Sequence, residues 1–136
     1  MFGLSRASDQ TIAEWRELGD KVCAALQLAG IPVHWMGEGL DLIGAEVEVD
    51  GADDEMGGVF ITWRPAPELS KAVVECTSEG RNDAPIVQLS LSIAMSMRDA
   101  IVGILRSSDF DVVPFDDYDM RPPAVHVLHL NVFSLD

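Results

Sequence analysis

The sequence predicts an α+β fold: an antiparallel sheet of about four strands with helices packed on one face, in the order α-β-β-α-α-β-β. Three observations predict it. Apolar residues repeat at three- and four-residue steps in some segments and alternate with polar residues in others. The alternating segments are neighbours along the chain, as the strands of hairpins are. With 136 residues, 48% of them hydrophobic, the chain has the size and apolar content of a single globular domain spanning 1–136.

The first helix rests on Ile12, Trp15, Leu18, Val22, Leu26 and Ala29, which share one face. Thr11 and Glu14 have the form of a capping box, with Ser8 and Asp9 as competing caps. Glu17 and Lys21 are spaced for an i,i+4 pair. Gly30 supplies a left-handed stop and Pro32 prevents continuation. Residues 33–36 suit a short extended piece, and the path of 30–44 is left open. Next, Ala45, Val47 and Val49 alternate with Glu46 and Glu48, a half-buried strand.

A second strand follows Gly57-Gly58, with Val59, Ile61 and Trp63 on one side and Phe60, Thr62 and Arg64 on the other. The two form an antiparallel hairpin whose connection, Asp50 to Met56, is longer than a tight turn and expected to be mobile. Glu46 and Glu48 are both within reach of Arg64, depending on register. Pro67 suits the first turn of a second helix, with Leu69, Val73 and Cys76 on one face up to Gly80.

Ile86 to Leu105 is apolar on most sides and is expected to be a largely buried helix, the central packing element. Its first half also alternates in the manner of a strand; the spacing of Met97, Ile101, Ile104 and Leu105 favours helix for the second half. Asp111 to Phe115 is a short strand in which Pro114 fits only an edge or an end. Ala124 to Phe133 is a strand apolar on both faces, hence central.

The charge is unevenly distributed. The formal charge is −14, from 9 Lys and Arg against 23 Asp and Glu. Two acidic segments stand out: Asp50, Asp53, Asp54 and Glu55, and then Asp109, Asp111, Asp116, Asp117 and Asp119. Such a field repels phosphate, which excludes nucleic acid and anionic membrane as partners and leaves a basic protein. Continuous apolar stretches fall short of the roughly 18 residues of a spanning helix, and Met1 to Arg6 turns polar too soon for a signal peptide. Cys23 and Cys76 sit on apolar helix faces, as reduced thiols do, so the chain is expected to be cytoplasmic.

No pattern of catalytic chemistry emerges. His126 and His129 are three apart, so within a strand they point to opposite faces and do not share a metal ion; His34 is remote, and no CxxC pair exists. The acidic runs lack the alternation, glycine and terminal glutamate of a calcium loop. Gly37-Glu38-Gly39 begins like a dinucleotide loop, but its third glycine position holds Leu42 and no strand-then-helix context surrounds it. There is no GxSxG. No metal and no cofactor is therefore expected.

Two functional expectations follow. The first is a non-enzymatic acidic module that binds a protein through its acidic loops or a sheet edge, with self-association through an edge strand as one form. Its contact residues are Trp35, Asp53, Asp54, Glu55, Asp116, Asp117, Tyr118 and Asp119, aromatic rings among carboxylates being suited to a cationic partner. The second is a small-molecule binder or enzyme with a pocket between sheet and helices, lined by Trp35, Tyr118, His126 and His129. In size, charge and element order the chain is similar to secretion chaperones and toxin-neutralising immunity proteins, without a motif that transfers residue by residue.

Overall fold

A computed structural model describes residues 5–39, 41–54, 57–115 and 123–131. The elements are α1 (Asp9–Leu28), β1 (Val33–Trp35), β2 (Gly44–Asp50), β3 (Gly58–Arg64), α2 (Pro67–Ser78), α3 (Pro85–Ser107), β4 (Phe110–Phe115) and β5 (Ala124–Leu130). The fold is α+β, as the patterning predicts. The sheet has five strands in the order β1-β2-β3-β5-β4. It is mixed rather than wholly antiparallel: residues 33–35 are a true edge strand, and β1 runs parallel to β2.

The ends of α1 follow from local chemistry. Ser8, rather than Thr11, is the N-cap; its Oγ accepts a hydrogen bond from the Thr11 amide at 3.1 Å. Glu17 and Lys21 pair at 3.6 Å. At the other end Gly30 adopts φ 85°. The Ile31 amide then reaches back to the Leu26 carbonyl and the Gly30 amide to that of Gln27, which closes a Schellman motif. Without Gly30 in the left-handed region the chain would not turn so soon into β1.

The β2–β3 hairpin pairs Gly44 with Arg64 and Asp50 with Gly58. That register puts Ala45 and Val47 beside Trp63 and Ile61 on one face, and β5 extends the layer with Val125 and Val127. Val22 and Leu26 of α1 and Ile101, Val102 and Leu105 of α3 close over this face, and all of these aliphatic side chains are buried. Pro114 lies on β4, an edge strand, where its missing amide costs no ladder bond. β5, flanked by β3 and β4, is an interior strand.

Two expectations need correction. The connection after β2 was expected to be mobile, yet its start is tied to the N-terminal segment: Ala7 N–H donates to Gly51 O at 2.8 Å, and Asp53 N–H to Ser5 O at 3.3 Å. A backbone segment with ladder-type bonds of its own has little freedom to move.

The second correction concerns α3. It is not largely buried: only Ile101, Val102 and Leu105 are, and no residue from Pro85 to Ala100 is. The last third of the helix packs on the sheet, where Arg106 also donates to the Val112 carbonyl at 3.1 Å. α3 also packs on α2, and no residue of its first two-thirds is fully buried. The apolar run signals avoidance of water, and here the fold itself meets that demand for less than half of the helix.

Candidate functional site

On the sheet face opposite α1 and α3, the register collects three ionisable side chains. Parallel pairing sets His34 beside Glu46, and the hairpin sets Arg64 one diagonal position away. Glu46 Oε2 accepts from Arg64 at 3.1 Å and lies 3.1 Å from His34 Nε2, which donates to it when that nitrogen carries the proton. The side chains of His34 and Glu46 are only 5% and 8% exposed. A carboxylate this buried is tolerable only with such partners, so the cluster fixes the short edge strand β1 onto β2. The sequence admitted a Glu46–Arg64 contact; His34 was missed, because nothing local announces a parallel partner.

Further along this face His126 stacks on Phe60, with ring centroids 4.4 Å apart and 11° between planes, and Phe115 meets Phe60 edge-on at 5.2 Å. His126 is thus a packing residue of the sheet. His129 follows a β-bulge in β5 and pairs with Asp111, which lies between the core-facing Phe110 and Val112; its Nε2 is 3.6 Å from the Asp111 carboxylate. It lines an open depression of about 310 Å³ with Trp15, Leu18, Lys21 and Leu128. The extra residue of this bulge cancels the alternation, so His126 and His129 lie on the same side of the sheet, contrary to the opposite-face expectation, though they remain in separate surroundings.

Trp35 is half-buried on the helix side of β1. Its indole lies where a Cβ on Gly19 of α1 would come within 2.3 Å, and the Arg16 guanidinium sits 5.0 Å from its ring centre. The tryptophan's cation is therefore supplied by its own chain. Trp35, His126 and His129 occupy three separate environments and share no pocket. Tyr118, Asp116, Asp117, Asp119 and Glu55 lie outside the described residues.

Asp53 and Asp54 are exposed on the loop after β2, beside Asp50, whose Oδ1 accepts from the Ala52 amide at 3.0 Å. Among the described residues no group of three or more His, Cys, Asp or Glu side chains is placed to hold a metal ion. The thiol of Cys23 is a poor nucleophile: burial, together with the charges of Asp20 and Glu38, pushes its pKa up to about 11.

The surface that the sequence reading missed is the outer face of α3. Residues 84–97 contain no Asp, Glu, Lys or Arg. Within them Leu89, Leu91 and Met95 are 50%, 47% and 42% exposed, and Gln88, Ser92 and Ser96 are exposed as well. The signal was present, since a long uncharged run in so acidic a chain is unusual. It was read as burial because burial and docking write the same letters.

By length and composition α3 is apolar enough to cross a membrane. The part outside the core, roughly 15 residues at about 1.5 Å each, spans only some 22 Å of a hydrocarbon layer about 30 Å thick. The remainder is anchored in the sheet through Ile101, Val102 and Leu105.

These features define the class: a small acidic α+β protein with a mixed five-stranded sheet and a projecting helical hairpin. No protein-family model, curated protein or solved structure matches this chain.

Proposed function

We propose that this chain is a cytoplasmic, non-enzymatic protein-binding module that docks through the outer face of α3. One observation carries the reading: the charge-free stretch 84–97 leaves Leu89, Leu91 and Met95 open to solvent on a molecule of formal charge −14. Large apolar side chains left in solvent on both flanks of an otherwise polar helix face, here beside exposed Gln88, Ser92 and Ser96, favour contact with another macromolecule. The acidic loops repel phosphate-bearing surfaces and keep the other faces soluble, while the uncharged helix supplies adhesion.

The test is photo-crosslinking in cells of the source organism, with a benzophenone amino acid placed at Leu89, at Met95 or at the exposed loop residue Asp53. Covalent protein adducts are expected from the two α3 positions. No adduct at α3, or equal yields at all three positions, would refute docking through this face.

A further inference from the structure

We propose that a groove along α1 is a docking site for a cationic amphipathic helix of a partner protein. It is a second surface of the molecule and does not depend on the α3 face. Two depressions make it. The one of about 310 Å³ beside Trp15 meets another of about 500 Å³, and Lys21 and Leu130 line both. Together they follow α1 from Glu14 to Ala29, roughly 22 Å at about 1.5 Å per residue.

The lining is apolar and only half covered. Trp15, Leu18 and Ala25 of α1 touch the core yet stay partly exposed, as do Ile104 and Leu130 across the groove. Leu128 lines one depression and Leu28 the other, 43% and 90% exposed. An apolar surface that follows one helix for about four turns has the extent of a contact site.

Charge selects the occupant. Of the ionisable groups along the groove, Lys21 is answered by Glu17 at 3.6 Å and His129 by Asp111 at 3.6 Å. Glu14, at one end, accepts a hydrogen bond from Gln10 and pairs with no cation among the described residues. Near the other end Asp109 sits between the lining residues Ser108 and Phe110, exposed and likewise without a cation among the described residues. A trough bordered by open carboxylates on a body of formal charge −14 fits an apolar helix face edged by lysine or arginine. The same field repels a fatty carboxylate, a small ligand of suitable shape.

Shape selects a helix. The α1 wall has its backbone groups bonded within itself, so it offers an extended chain no ladder to join. A partner helix brings its own backbone bonds satisfied and lays an i, i+3, i+4, i+7 stripe into the trough. Small side chains at Ala24, Ala25 and Ala29 allow the two axes to approach to about 8 Å, the close end of helix packing.

The experiment is a fluorescence-anisotropy titration of the full chain against a dye-labelled peptide of about 15 residues, with leucines at helical spacing among lysines. Two control peptides share its length. One has the leucines rearranged so that no apolar face forms, and one has glutamate in place of lysine. Expected is a dissociation constant of roughly 1–50 µM at about 0.05 M NaCl, rising about tenfold at about 0.5 M. Both controls should bind at least about tenfold more weakly.

Leu28→Ser with Leu128→Ser should weaken binding about tenfold or more. Glu14→Gln with Asp109→Asn should weaken it about fivefold and flatten its salt dependence. All four positions are exposed, and asparagine tolerates the φ of 69° at position 109, so circular dichroism should be unchanged. Leu89→Ser on α3, and Glu68→Gln with Glu75→Gln on α2, should leave the constant within about twofold.

No binding of the leucine–lysine peptide below about 500 µM overturns the proposal. So does equal binding of the rearranged peptide, or equal weakening by the α2 pair, since either would mean attraction by net charge alone. Binding lost in Leu89→Ser and kept in the groove variants would place the contact on α3 and overturn the groove. Photo-adducts at Leu89 and Met95 test the α3 reading separately, so the two surfaces stand or fall apart.

Discussion

The two parts of α3 are one continuous helix, yet the fold treats them differently. From Ile101 to Leu105 the inner stripe lies under the sheet and is buried; from Pro85 to Ala100 a comparable apolar content faces α2 on one side and water on the other. Propensity does not explain the difference, since the better-packed part holds Gly103 and three β-branched residues. What differs is the tertiary cover: Ile101, Val102 and Leu105 belong to the core against the sheet, and the earlier residues do not. Helical periodicity identifies a side that avoids water, but the partner that covers that side is a tertiary matter.

The contrast is broken most directly at its buried end. Leu105→Ala should cost about 2–5 kcal/mol, the sum of lost transfer energy and a cavity under a fully buried side chain. Urea denaturation of the monomer measures it. A cost below about 1 kcal/mol would mean that the end of α3 is no better packed than its beginning.

The next effect is on the opposite face of the sheet. Glu46→Ala leaves buried His34 without its carboxylate and frees one contact of Arg64, whose side chain is 37% exposed and can find water. Breaking a fully buried pair costs about 3–5 kcal/mol; the exposure of Arg64 brings the expected loss to about 2–3. Hydrogen exchange should show β1 opening first, because its pairing with β2 spans three residues only. Uniform protection of β1 in the variant would show that the cluster does not hold the strand.

These two sites also show what could be read from the sequence. Alternation in Ala45-Val47-Val49 and Val59-Ile61-Trp63 set which residues face the helices, and the hairpin register then follows from keeping both sets on one side. The ends of α1 were legible through Gly30 because a Schellman turn is local chemistry. β1 was not legible as a sheet member. Three residues carry too little pattern, and their parallel pairing depends on how residues 36–43 return the chain to β2. For the candidate site, Asp53 and Asp54 are exposed as expected, whereas Trp35 and His126 proved to be packing residues. The α3 face escaped because a sequence cannot say whether an apolar stripe is covered from within or from without.

A smaller effect sharpens the packing of β1 onto α1. Gly19→Ala gains helix propensity, about 1 kcal/mol, but drives a methyl group to 2.3 Å from the Trp35 ring. Overpacking of this kind costs about 1–3 kcal/mol, so a net loss of about 1 is expected. A shift in tryptophan emission should accompany it. A gain in stability would show that the indole swings aside freely.

Ser8→Ala should cost about 1 kcal/mol through the lost cap, and Thr11→Ala less, since the Thr11 hydroxyl only accepts a bond from Ser8 Oγ at 3.0 Å. Thermal unfolding of the pair distinguishes the cap seen here from the capping box read from Thr11 and Glu14. Equal losses would favour the box.

The smallest expected effect is the one on which the contrast depends. Leu89→Ala, at a half-exposed position, should change the stability of the isolated chain by less than about 0.5 kcal/mol. Urea denaturation measures it. A large loss would make Leu89 a core residue and the two parts of α3 alike.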